Sequence, residues 1–295
     1  TAIGPACRTF IRPACRALRR HRDAEKGGQV LECVVNVSEG RDMEAVAAVA
    51  RAGGDHVLDV HSDADHHRSV LTLAGPDVEE RAFAVVAEAV RRIDLTTHAG
   101  AHPRLGAADV VPFVPLFGAT LRDAIVARDR FAQRTAGELG LPCFLYGPER
   151  SLPEVRRRAF RDLAPDTGPS RPHPTAGAAC VGAREVLVAY NVWLAPPSTL
   201  ADARRIAAAL RSSEVRTLGI AVTGGVQVSF NLVEPLRVGP DAVADAVAGA
   251  APVARTELVG LLPAAVLATI PEDRWPDLDL SASRTIDARL IQAGL

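Results

Sequence analysis

The order of apolar runs constrains this chain more than any other feature of its sequence. From residue 30 a strand-like run, VLECVVNV, precedes a helical stretch, DMEAVAAVARAGG, that starts at the capping candidate Asp42. Two more strand-like runs, HVLDVH and RSVLTLAG, lead into the amphipathic stretch PDVEERAFAVVAEAVRRI, with Pro76 before its first turn, and then to ADVVPFVPL. The same order, strand, helix, strand, strand, helix, strand, returns as EVLVAYNVWL, a helix from about Ser198 to Arg211, LGIAVTGGVQVSFNLV, a helix from Pro240 and TELVGLL. Gly224 and Gly225 tolerate the positive backbone angles of a tight two-residue turn, so the middle segment of the second copy reads as a hairpin. The duplication predicts an α/β (α+β) protein of two ferredoxin-like, split βαβ subdomains.

Between the copies lie a helix from about Leu121 to Leu139, a strand PCFLYG, an arginine-rich helix near Pro153 to Leu163 and the proline-rich stretch APDTGPSRPHPTAG, the natural boundary region. The subdomains are placed at residues 30–183 and 184–295. Residues 1–29, rich in arginine and without a sustained apolar period, read as a disordered or artefactual extension. An arginine-rich, acid-poor start also mimics an organelle transit peptide.

The balance of charges removes several functions. A formal net charge of -1 provides no field suited to a phosphate backbone, so nucleic acid is not an expected partner. No apolar run approaches the roughly 20 residues that cross a bilayer, which predicts a soluble protein without membrane attachment. The five cysteines are scattered, with no CxxC pair, and fit a reduced cytoplasm. Lys26 is the only lysine, and glycines follow it, which excludes a phosphate-binding P-loop and argues against a lysine Schiff base.

Five of the eight histidines fall between His61 and His102. The segment DVHSDADHHRSV gathers His61, Asp63, Asp65, His66 and His67, residue types that bind divalent ions, next to Arg68. Its spacing is loose, it lacks the His-Glu-x-x-His helical signature, and the adjacent arginine disfavours a cation. No metal is expected, and a metal-dependent hydrolase using His61, Asp63, Asp65 and His67 is the alternative. In TTHAGAHPRLGAADVVPF, Pro103 disfavours helical backbone at His102 and places that histidine in an extended loop. In VQVSFNL, strand alternation sends Val226, Val228, Phe230 and Leu232 to one face and Gln227, Ser229 and Asn231 to the other.

LECVVNVSEGRD, DVHSDADHHRSVLTLAG, HAGAHPRLGAADVVPFVPL, GPSRPHPTAGAACVGAREVLVAYNV, VQVSFNL and TELVGLLP occur in an order that resembles the glutamate formiminotransferases over residues 30 to about 270. The resemblance implies transfer of the formimino group of N-formimino-L-glutamate to N5 of tetrahydrofolate, which acts as co-substrate, with no metal. It implies facing mixed β-sheets across a substrate tunnel, helices on the outer faces, and a cytoplasmic homodimer working in histidine degradation. His102, in the His-Pro-Arg motif, takes the place of the family's catalytic general acid and base. The folate-binding stretch maps onto Thr167, Gly168, Pro169, Ser170, Arg171, Pro172, His173, Pro174, Thr175 and Ala176. Histidine suits the chemistry, because an ordinary pKa of about 6.5 leaves both protonation states accessible while one nitrogen loses a proton and another gains one.

Asn36, His61, His67, Arg68, Arg104, Gln227 and Asn231 complete the expected substrate contacts, Arg68 and Arg104 as partners for carboxylates. The chain departs from the animal members at His61, where they carry an aspartate, and at His67, where they carry an asparagine. Asp63, Asp65 or His61 itself is left to supply the acidic helper. A folate-binding relative without catalysis, and formyl transfer in place of formimino transfer, are the remaining alternatives.

Overall fold

The computed structural model describes residues 29–99 and 104–295. Its first half runs β1 (Leu31–Val37), α1 (Met43–Ala52), β2 (Val57–Asp63), β3 (Arg68–Gly75), α2 (Val78–Arg92), β4 (Ala108–Pro115), α3 (Leu121–Leu139), β5 (Cys143–Tyr146), α4 (Leu152–Arg158) and β6 (Ala179–Ala183). Its second half runs β7 (Val188–Leu194), α5 (Leu200–Leu210), β8 (Val215–Val222), β9 (Gly225–Leu232), α6 (Pro240–Ala248), β10 (Val253–Val259), α7 (Ala264–Leu267) and α8 (Ile286–Ala293).

Local chemistry starts the helices where the sequence places them. Asp42 accepts the backbone N–H groups of Glu44 and Ala45, and reciprocal capping boxes at Thr120–Asp123 and Thr199–Asp202 open α3 and α5. The arginine-rich helix is shorter than the sequence predicts. It ends at Arg158, whose carbonyl accepts from Arg161, Asp162 and Leu163 as the chain reverses through Phe160 at φ 59°.

The first sheet has the order β2-β3-β1-β4-β6-β5, and the second β10-β7-β9-β8. The first four strands of the first half, β2-β3-β1-β4, and the whole second sheet are the same split βαβ arrangement, to which the first half adds parallel β6 and β5. The first sheet is mixed, but the second is antiparallel throughout, because each of its strand pairs joins elements running in opposite directions. The hairpin turn of the second half is Thr223–Gly224 instead of the glycine pair. Val222 pairs with Gly225, and Gly224 takes φ 87°.

Alternation along each strand sorts core from cleft. Cys33, Val35 and Val37 of β1 join Val49, Phe83, Val86, Phe113 and Phe131 under α1, α2 and α3. Val188, Tyr190, Val192, Val228, Phe230 and Leu232 pack with Ile206 and Val247 under α5 and α6. The opposite faces of the two sheets meet across a shared cavity, as the resemblance implies. A smaller cluster of Leu58, Ala74, Leu261, Ile286 and Leu290 lets α8 bind both halves together.

Candidate active site

The cavity between the sheets measures about 390 Å³, within the range of small-molecule sites. The first half lines it with Glu32, Val34 and Asn36 of β1, with His61, Asp63, His66, Arg68 and Thr72 of the β2–β3 hairpin, and with Tyr146, Arg156 and Arg184. The second half contributes Asn191, Arg216, Ser229 and Asn231 among others. The first wall carries three guanidinium groups and the Asn36 amide, and the facing wall two amides, a hydroxyl and the Arg216 guanidinium, a lining suited to a ligand that carries both carboxylates and ring hydrogen-bonding groups. A more open depression, lined by Arg255, Asp277, Asp279 and Arg284, adjoins the cavity at His61.

The DADHHR turn between β2 and β3 is a clamp. Asp63 Oδ1 accepts the backbone N–H groups of Asp65 and His66, each at 2.8 Å, and its Oδ2 lies 2.6 Å from His66 Nδ1. Burial works against the charge of Asp63, but the hydrogen bonds from His66 outweigh it and hold the carboxyl down at about 2. The turn then bends at His67, which adopts φ 49°. The His67 ring lies 2.9 Å from Glu39 Oε1 through Nε2 and 2.9 Å from the Ala99 carbonyl through Nδ1, and it stacks on His98 with centroids 3.9 Å apart. Glu39 also accepts the backbone N–H groups of Gly40, Arg41 and Asp42. These bonds overcome the effect of its burial and lower its pKa.

Arg104 closes the other side. Its Nη2 donates to the His66 carbonyl at 3.2 Å, its Nη1 to the His67 carbonyl at 3.5 Å, and the guanidinium contacts the His98 ring. Partial burial, the Arg104 charge and neighbouring His67 push the His98 imidazole below its usual range. Ala99 and Arg104, which flank residues 100–103, are thus both fastened to one turn. His102 lies within that segment, outside the described residues. Asp109 continues the anchorage. It is buried, accepts the Leu105 N–H at 2.6 Å and pairs with Arg156 at 2.6 Å.

The other expected residues fall into three groups. Asn36, His61, Arg68 and Asn231 line the cavity, with the Asn36 amide donating to the Val34 carbonyl at 3.0 Å. Burial lowers the Arg68 pKa, with Asp109 opposing the shift. Gln227 shares the face of Ser229 and Asn231 but is fully buried instead of open to the cavity, and neither amide atom has a hydrogen-bond partner. Thr167–Ala176 lines neither cavity. Pro169 to Pro172 are exposed, while His173 Nδ1 accepts the Ala176 N–H, the Thr175 carbonyl accepts from Leu95 and the Ala176 carbonyl from Ala107. That stretch lies against both ends of the region that contains His102.

The residues of the hydrolase alternative do not converge. His61 Nε2 faces Glu257 at 3.7 Å, Asp63 is occupied by His66, and His67 is held by Glu39 and Ala99. Among the described residues no three His, Cys, Asp or Glu side chains are placed to hold a metal ion. Glu257 itself was not a sequence candidate. Its Oε2 accepts from Asn191 Nδ2 at 3.1 Å and Trp193 Nε1 at 3.0 Å. Glu32 and Asp109 share a signal that could have found them: each is a lone acid inside a largely apolar strand, where charge is costly unless it has work to do.

Comparison with known proteins gives a consistent result. Residues 30–184 match the formiminotransferase domain, N-terminal subdomain. The chain is 39% identical to the glutamate formimidoyltransferase of Streptococcus pyogenes over 233 residues, covering 70% of this chain and 78% of that protein. It is 37% identical to the glutamate formimidoyltransferase of Thermoplasma acidophilum over 234 residues, 69% of this chain and 76% of that protein. It is 36% identical to the formimidoyltransferase-cyclodeaminase of Sus scrofa over 274 residues, 80% of this chain but only 50% of that longer protein. With its paired split βαβ sheets and the cavity between them, the chain belongs to the formiminotransferase family of one-carbon-transferring enzymes.

Proposed function

We propose that the chain is a glutamate formimidoyltransferase that moves the formimino group of N-formimino-L-glutamate to N5 of tetrahydrofolate, with His102 exchanging the protons. The names of the relatives support the donor and the group transferred. The observation that carries the reading is the cavity lined by guanidinium groups and side-chain amides drawn from both sheets, beside a clamp that fastens both flanks of residues 100–103. Attack of N5 on the amidine carbon forms a tetrahedral intermediate, and the carbon–nitrogen bond to glutamate then breaks. N5 loses a proton and the departing nitrogen gains one, a round trip that one imidazole can serve. Holding two substrates in register supplies much of the remaining acceleration.

Arg68 and Arg104 are the proposed carboxylate partners, and Asn36, His61 and Asn231 the polar contacts within the cavity. Gln227, buried behind that wall and closed to the cavity, drops out of the direct contacts, and His67 acts by holding the Ala99 carbonyl. Thr167–Ala176 is proposed to receive the outer part of the folate, a role supported by its lie against Leu95 and Ala107. A cytoplasmic homodimer completes the proposal. His102→Ala is expected to abolish formimino transfer, lowering kcat at least about a hundredfold, while calorimetry still detects binding of reduced folate. Turnover near that of the unaltered enzyme would remove His102 from the mechanism.

A further inference from the structure

Glu32 is 4% exposed, lines the inter-sheet cavity, and accepts no hydrogen bond and forms no ion pair with any described residue. A buried carboxylate in that condition is costly, and native structures keep few polar groups so placed without a use for them. Asp63, another carboxyl on the cavity wall, has both oxygens engaged by the DADHHR turn. Glu32 is therefore a carboxyl on that wall that is free to accept donors from a ligand.

Position along β1 limits which ligand part it meets. Asn36 stands four residues further along the strand, about 13 Å away at the usual rise, and Val37 leads on to Ser38, which bonds Gly106 and Ala107 beside the Arg104 anchorage. The Glu32 end is consequently the end remote from that anchorage. Its strand neighbours on the same face are Ala74 and Val114, and Val34, Thr72 and Pro112 continue the wall. The mainly apolar surroundings suit a flat ring better than a flexible dicarboxylate. Arg184 lines the same cavity close enough to act on the Glu32 charge, and it offers a donor next to the acceptor.

We propose that Glu32 and Arg184 form the recognition subsite for the 2-amino-4-oxo edge of the tetrahydropterin ring, a deepening that rests on the folate reading above. Glu32 accepts from N3–H and the 2-amino group, a pair of parallel donors that matches a carboxylate, and Arg184 donates to the 4-oxo oxygen. Seated that way, the ring carries N5 back along β1 toward Asn36, with the side chain at C6 leading outward.

The test uses calorimetry on the full chain with two probes, 5-formyltetrahydrofolate and its 2-desamino-2-methyl analogue. The unaltered protein is expected to bind the analogue about ten- to hundredfold more weakly. Glu32→Gln is expected to weaken binding of 5-formyltetrahydrofolate by a similar factor, to abolish most of the discrimination, and to leave the KM for formiminoglutamate unchanged. Equal affinity of the unaltered protein for both probes overturns the subsite, and this arm does not depend on any variant folding. Discrimination that survives Glu32→Gln, or a loss that falls on formiminoglutamate instead, also overturns it. Failure of the unaltered protein to bind either probe refutes the folate reading itself, which separates the two outcomes.

Discussion

Burial pushes the Glu32 carboxyl up to about 7 against the opposing pull of Arg184. The folded state thus favours its protonated form. Its contribution to stability is fully present below the ordinary carboxyl pKa of about 4.3, fades as pH rises from there through 7, and above that the ionised group costs on the order of 3 kcal/mol. Glu32→Gln is expected to match the unaltered protein at pH 4.5 and to melt several degrees higher at pH 8 by scanning calorimetry. Melting curves that stay parallel across that range would contradict the buried-charge account. The sequence made the histidines and arginines conspicuous and left this residue unnoticed. An acid within LECVVNV is one letter among apolar neighbours, and the features that give it meaning, Arg184 and the facing sheet, lie far along the chain. The same holds for Glu257, whose partners Asn191, Trp193 and His61 come from strands of both halves.

At the scale of elements, the DADHHR turn converts a cluster that resembled metal ligands into a positioning device. His67 occupies left-handed backbone, a conformation that asparagine tolerates and alanine does not. His67→Ala is expected to cost about 1 kcal/mol of stability through that backbone and to lower kcat roughly tenfold by releasing the Ala99 carbonyl. His67→Asn is expected to recover most of the stability while recovering kcat only in part, as steady-state rates and denaturant titrations of both variants would reveal. Equal kcat in all three proteins would reduce the turn to scaffolding. The order and limits of most elements were legible, because caps such as Asp42, Thr120 and Thr199 and the alternation of VQVSFNL act over a few residues. The early end of α4 was not legible. Leu152 to Leu163 keeps a helical composition, and the reversal at Phe160 is sustained by the Phe160–Leu163 backbone bond and by Phe160 stacking edge-on to Phe144 of β5.

For the molecule as a whole, the duplicated pattern revealed two sheets but not what closes one on the other. That closure rests in part on α8, whose Ile286 and Leu290 pack with Leu58 and Ala74 of the first half and Leu261 of the second, while Arg289 lies 3.9 Å from Asp59. Leu290→Ala is expected to destabilise the protein by about 2–5 kcal/mol and to weaken folate binding although Leu290 does not itself line the cavity. Chemical denaturation paired with calorimetry would check both effects, and unchanged binding would mean that the halves hold their places without α8.

The alternation within β9 has a further consequence for the tolerance of this chain to insertion. Its residues serve a dry layer and a wet wall by turns, and their phase is set at Thr223–Gly224, at the far end of the hairpin. One extra residue in that bend, shifting β9 by one place, would trade Val228 and Phe230 for Ser229 and Asn231 on every contact. A loop-tip change in the tolerant-looking TGG motif would then disable the enzyme as surely as loss of a reacting group.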